Sequence, residues 1–145
     1  MKQFHGRQKV WETIITTVIK TTDSQSIWIG VDIIEIDRIE RAVDRWGQRF
    51  LRKIYTDGEL DYCRGRIQSL AVRFAAKEAV MKALGTGRSD LGWCDVEVMN
   101  NGREAPEVNL RKRAKIQAKR IGATKFALSL SHSKQYAVAF VVASK

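Results

Sequence analysis

Apolar positions recur along this chain with a period that changes from one segment to the next. Near the N terminus Val10-Trp11, Ile14-Ile15 and Val18-Ile19 return every four residues, which suits a short amphipathic helix. The β-branched residues between 13 and 19 equally permit a strand. The polar run 21–26 then reads as a linker, so the pattern divides the chain into an N-terminal extension, 1-26, and one domain, 27-145. Over 27–33 the pattern alternates, with Ile27, Ile29, Val31 and Ile33 on one face and Trp28, Gly30 and Asp32 on the other. That is a strand expected to be buried. Ile36, Ile39, Val43 and Trp46 follow at helical spacing, and Gly47 is expected to end that helix. Thr56-Asp-Gly-Glu59 has the reciprocal capping pattern and opens a short helix through Cys63.

The longest periodic stretch is 66–84. Leu70, Phe74, Met81 and Leu84 share one apolar stripe, and alanines at 71, 75, 76, 79 and 83 favour the helix and let neighbours approach closely. Gly85 supplies the left-handed residue that commonly ends a helix. Residues 95–99 read as a strand, Asn100-Asn-Gly102 as its turn and 106–108 as a short return strand. Asn109 is expected to cap a helix through Ile121, with Leu110, Ala114, Ala118 and Ile121 inward and Arg111, Lys112, Arg113, Lys115, Lys119 and Arg120 outward. Residues 126–130 and 136–143 alternate as the two strands of a hairpin.

A chain of 145 residues suits a single domain, and its net charge of +10 implies an anionic partner without naming one. The two cysteines, Cys63 and Cys94, form no disulfide framework, so a reducing cytoplasm is expected. No apolar run approaches membrane-spanning length, and no membrane partner is expected. Trp11, Trp28, Trp46 and Trp93 are scattered and offer no stacking platform, which argues against a nucleic-acid partner.

Two carboxylates stand out. Asp32 sits near the end of a strand beside Gly30, where an unpaired charge is costly. Glu78 lies on the long helix four residues before Lys82, a spacing that also fits a plain surface ion pair. Together Asp32 and Glu78 could hold a hard cation such as Mg²⁺, which binds through one or two carboxylates, waters and substrate phosphate oxygens. Lys82, the Gly85-Thr86-Gly87 loop and the polar cluster Ser129, Ser131, His132, Ser133 could meet a phosphate. That loop follows a helix instead of preceding one, so it is not a P-loop. Adjacent Ser131 and His132 point to opposite faces of a strand and make a poor nucleophile and base.

Four segments, in order, resemble the short form of the 4′-phosphopantetheinyl transferase superfamily, the holo-[acyl-carrier-protein] synthase family. They are Ile29-Gly-Val-Asp-Ile-Ile-Glu-Ile-Asp-Arg-Ile39, Tyr55-Thr-Asp-Gly-Glu-Leu60, Arg73-Phe-Ala-Ala-Lys-Glu-Ala-Val-Met-Lys-Ala-Leu-Gly-Thr-Gly87, and Leu128-Ser-Leu-Ser-His132 with Tyr136-Ala137. The resemblance implies an α+β fold, a small antiparallel sheet packed with a long central helix, assembled as a homotrimer with active sites between subunits. It implies transfer of the phosphopantetheine arm of coenzyme A to a serine of apo acyl carrier protein, in fatty acid biosynthesis. Asp32 and Glu78 match the family's magnesium ligands and Lys82 its pyrophosphate lysine. Arg38 and Arg45 match the basic positions that meet the acidic carrier. Gly85, Thr86, Gly87 and His132 match the nucleotide-binding region. Two features depart from the family: most of residues 1–26 has no counterpart, and its Gly-x-Pro is stretched here to Gly102-Arg-Glu-Ala-Pro106.

Overall fold

The computed structural model describes residues 17–20, 25–86, 90–102 and 105–145. The periodic positions 10–15, most of the 21–26 linker, Gly87 and the inserted pair 103–104 lie outside the described residues. A four-stranded antiparallel sheet is ordered β1-β2-β6-β5, from β1 (Thr17–Lys20), β2 (Ser26–Glu35), β5 (Lys125–His132) and β6 (Tyr136–Ser144). A two-stranded ribbon joins β3 (Val96–Met99) and β4 (Glu107–Leu110). Helices α1 (Ile36–Ile54), α2 (Asp57–Cys63), α3 (Ile67–Ala83) and α4 (Lys112–Ile121) complete an α+β domain, as expected. The tail of the proposed extension is strand: Thr17 to Lys20 pair antiparallel with Ile29 to Ser26.

α3 is the axis of the core. Eleven of its residues are buried, among them Leu70, Met81 and the five alanines. It is therefore covered nearly all round, where a single stripe was expected, because small alanine side chains let the sheet and the ribbon close on it from different sides. Its end is as expected: Gly85 is left-handed at φ 70, and the Thr86 N–H donates to the Met81 carbonyl at 3.1 Å.

Several boundaries differ from the sequence pattern. Gly47, at φ 50 and ψ −131, kinks α1 instead of ending it, so the helix runs on to Ile54. Glu35 occupies the N-cap of α1, without a side-chain cap, and Asp37 lies in the first turn, paired with Arg41 at 3.1 Å. Asn109 lies in β4 and not at a helix cap, because its amide is used to donate to Glu97 at 3.0 Å; Arg111 takes the N-cap of α4.

The strand β2, expected to be buried, is buried on one face only. Trp28, Gly30 and Ile34 are buried against α3, whereas Val31 is 52 % and Ile33 64 % exposed. Their register partners in β6 continue this outward face: Val31 lies opposite the exposed Phe140, and Ile33 opposite Val138. The β-branched residues thus form an apolar patch on the single chain, while the mixed face carrying Asp32 meets the central helix.

Candidate active site

Asp32 and α3 meet because Gly30 lacks a side chain. A Cβ at Gly30 would lie 1.8 Å from the Ala79 carbonyl oxygen, so β2 and α3 are in backbone contact there. Ala79 is flanked by Glu78, and Lys82 follows one turn later. Asp32 lies two residues beyond Gly30, on the same face of its strand. Lys82 Nζ donates to Asp32 Oδ1 at 2.9 Å and to the Val31 carbonyl, also at 2.9 Å. The lysine therefore reaches from helix to strand, spanning 50 positions of sequence, where its spacing had also allowed a local surface pair. Asp32, Glu78 and Lys82 are all half-buried. Lys82 thus ties Asp32 to α3, and Glu78, one turn before Lys82 and next to Ala79, lies on the same side of the helix.

A buried network fixes the opposite side of α3. Lys77, adjacent to Glu78, is fully buried and pairs with Glu59 at 2.6 Å, while also donating to the carbonyls of Val96 at 2.6 Å and Trp93 at 3.1 Å. Burial pushes the Lys77 pKa down, and Glu59 opposes that shift. Glu59 accepts from the Thr56 N–H through Oε2 and from the Val98 N–H through Oε1, both at 2.9 Å, and completes the expected capping box with Thr56. Glu97 accepts from Thr56 Oγ at 2.7 Å, Asn109 and Arg111. Burial alone would raise its pKa; these hydrogen bonds outweigh it and hold the carboxyl below its ordinary value of 4.5. Sequence reasoning passed over Lys77 and Glu97. The available signal for Lys77 was a charged residue set between Ala76 and Ala79 in a helix with little polar face.

α1 and the core beneath it form an open groove of about 800 Å³. Arg38, Arg41, Arg45, Arg49 and Lys53 line it, and Phe74 and Trp93, with ring centroids 4.7 Å apart, lie at its floor. Arg45 also covers the ring of Trp46 at 5.0 Å. The expected pair Arg38 and Arg45 is thus part of a longer cationic row. Gly85 and Thr86 close the end of α3 that bears Lys82. His132 is exposed at the end of β5, and the register Ile34, Ala137, His132 sets its backbone two strands from β2, about 10 Å away. Within one chain the fold does not bring His132 to Asp32.

The family model for the 4′-phosphopantetheinyl transferase superfamily matches residues 29–141, which includes every one of these groups. The chain belongs to this superfamily. Within it, the chain is 48 % identical over 120 residues to a holo-[acyl-carrier-protein] synthase of Herpetosiphon aurantiacus, covering 78 % of this chain and 94 % of the relative. It is 46 % identical to one of Dehalococcoides mccartyi, covering 81 % and 98 %. Among solved structures, the holo-[acyl-carrier-protein] synthase of Helicobacter pylori in complex with coenzyme A superposes with a TM-score of 0.72. That pair is 33 % identical over 79 % of this chain and 98 % of the other. The synthase of Neisseria meningitidis superposes with a TM-score of 0.73 at 35 % identity, over 81 % and 97 %. The superfamily match begins inside β2, so β1 lies outside it.

Proposed function

We propose that this chain is a magnesium-dependent holo-[acyl-carrier-protein] synthase serving fatty acid biosynthesis. It transfers the 4′-phosphopantetheine moiety of coenzyme A to a serine of apo acyl carrier protein. The observation that carries this reading is the Lys82–Asp32 contact where β2 touches α3, one helical turn from Glu78, in a chain of this superfamily. In the reaction the serine oxygen bonds to the pantetheine-side phosphorus of the pyrophosphate. The bond from that phosphorus to the bridging oxygen breaks, adenosine 3′,5′-bisphosphate leaves, and the serine proton passes to a base at the site.

The residues present fit Mg²⁺. Asp32 and Glu78 offer hard carboxylate oxygens, and no group of three or more His, Cys, Asp or Glu is gathered among the described residues. Two protein ligands with the remainder from water and phosphate is the usual arrangement for this ion. When bound, Mg²⁺ neutralises charge on pyrophosphate oxygens. Lys82 holds Asp32 in place through its hydrogen bond and offers a donor to the pyrophosphate. Gly85, Thr86 and Gly87 bind the nucleotide beside it, and His132 does so from a neighbouring copy. Arg38 and Arg45 receive the acidic carrier in the α1 groove.

The outward apolar face of Val31, Ile33 and Phe140 supports assembly of copies, as a homotrimer with sites between subunits. Cys63 and Cys94 are both free, which supports a reducing, cytoplasmic setting. Residues 1–26 extend the transferase domain at 27–145, with Thr17–Lys20 adding an edge strand to its sheet.

The test is incubation with coenzyme A, Mg²⁺ and several apo carrier proteins, followed by mass spectrometry of the carrier. A gain of one phosphopantetheine is expected. Asp32→Ala and Glu78→Ala should abolish it while the assembly persists. Failure of the folded protein to modify any carrier would sink the reading.

A further inference from the structure

From residue 108 to the C terminus the chain contains nine Lys or Arg and not one Asp or Glu, so nearly all of its +10 net charge is carried there. α4 concentrates it. Ala114 and Ala118 are buried, and Gln117 donates to the Leu84 carbonyl at the end of α3, which fixes the helix by that side. At 100° per residue, Arg113, Lys115, Lys119 and Arg120 then fall on one outward arc of about 160°, preceded by Lys112, whose backbone is left-handed at φ 43. All five are exposed, and none joins an ion pair among the described residues. Ile116 sits in the middle of that arc, 68 % exposed.

We propose that α4 is a docking surface for an anionic phospholipid bilayer. The helix would lie on the headgroups with Ile116 entering the acyl boundary. This is attachment, not spanning: no helix among the described residues is long and apolar enough to cross a membrane. It departs from the sequence expectation of no membrane partner, and it stands whether or not the transferase reading does.

Two features favour lipid over other anions. α4 has no aromatic residue to stack on a base, and its one amide, Gln117, is already used and so does not read a base edge. An acidic protein carries patterned charge, and α1 is built for that, its arginines interleaved with Asp37, Glu40 and Asp44. α4 has no acidic residue to set a register, which suits a diffuse sheet of like charges. The helix also packs on the α3 side of the sheet, away from the apolar outer face, so assembly through that face leaves it open.

The experiment is co-sedimentation of the full chain with vesicles of phosphatidylcholine containing about one third phosphatidylglycerol, against phosphatidylcholine alone, at two salt concentrations. Binding only to the anionic vesicles, weakened by salt, is expected. The triple variant Arg113→Gln, Lys115→Gln, Lys119→Gln should lose on the order of a hundredfold, from about fivefold per basic residue. Ile116→Ser should lose several-fold, with transfer to carrier protein in vesicle-free solution unchanged in both. No binding to anionic vesicles, or binding indifferent to the triple variant, overturns the proposal. So does binding indifferent to Ile116→Ser, or tighter binding to duplex DNA or to apo carrier protein that the triple variant abolishes.

Discussion

The backbone of Gly30 lies against Ala79 so closely that a Cβ at position 30 would stand 1.8 Å from the Ala79 carbonyl oxygen. Backbone on both sides leaves nothing flexible to give way. Gly30→Ala should therefore cost about 3 kcal/mol or more, the upper range for overpacking, and lower the thermal midpoint by several degrees. Activity should fall further than stability, because the displaced helix carries Glu78 and Lys82 away from Asp32. Gly58→Ala, whose Cβ would meet no backbone but two side-chain oxygens, Glu97 Oε1 at 3.3 Å and Thr56 Oγ at 3.9 Å, is the control and should be milder.

Lys82 donates to Asp32 Oδ1 and to the Val31 carbonyl. Lys82→Met keeps the stem and removes the charge. The turnover rate should drop by about a hundredfold to a thousandfold, the usual loss for one preorganised donor to developing charge. Steady-state rates with saturating carrier will measure it; a rate near wild type would remove Lys82 from the reaction.

Lys77 and Glu59 form an ion pair with both side chains fully buried. Removing one partner strands the other, so Lys77→Met should destabilise by about 3–5 kcal/mol. The double variant Glu59→Gln with Lys77→Met keeps an acceptor at position 59 without the stranded charge and should recover part of that loss. Urea midpoints of the single and double variants decide the matter.

The hydrogen bonds from Thr56, Asn109 and Arg111 depress the Glu97 pKa, so the folded protein releases this proton more readily than the unfolded chain does. The resulting stabilisation is complete above the ordinary value of 4.5 and is lost as pH falls through the lower folded value. Glu97→Gln should flatten that part of the acid limb in a plot of stability against pH. An unchanged limb would show that other carboxylates govern it.

Arg45 lines the α1 groove and covers Trp46. Arg45→Glu should raise the KM for carrier protein by about tenfold or more, and the KM for coenzyme A much less. Equal effects on both would argue against a docking role.

Much of this was legible in the sequence, and the reasons for success and failure are physical. The capping pattern Thr56 to Glu59, the Gly85 terminus and the alternating hairpin strands are local devices, so local patterns reveal them. Asp32 and Glu78 could be offered as a cation pair from their chemistry, but only the resemblance tied them to one site, since nothing local tells a strand which helix it will meet. Alternation along β2 separated its two faces, but it did not tell which of them is interior. The core takes Gly30 because α3 must come close, and leaves Val31 and Ile33 outside. The Lys77 network escaped because its partners, Glu59, Trp93 and Val96, lie 16 to 19 residues away or come from another helix.

The outward Val31, Ile33 and Phe140 have one more consequence, and it concerns dilution. Apolar area that only another copy can cover contributes stabilisation in proportion to the logarithm of protein concentration. A chain joined through this face should melt at a higher temperature when concentrated, and its activity per chain should fade as it is diluted past the dissociation constant of the assembly. The sheet's outer surface would thereby make the amount of protein present a determinant of how well each molecule works.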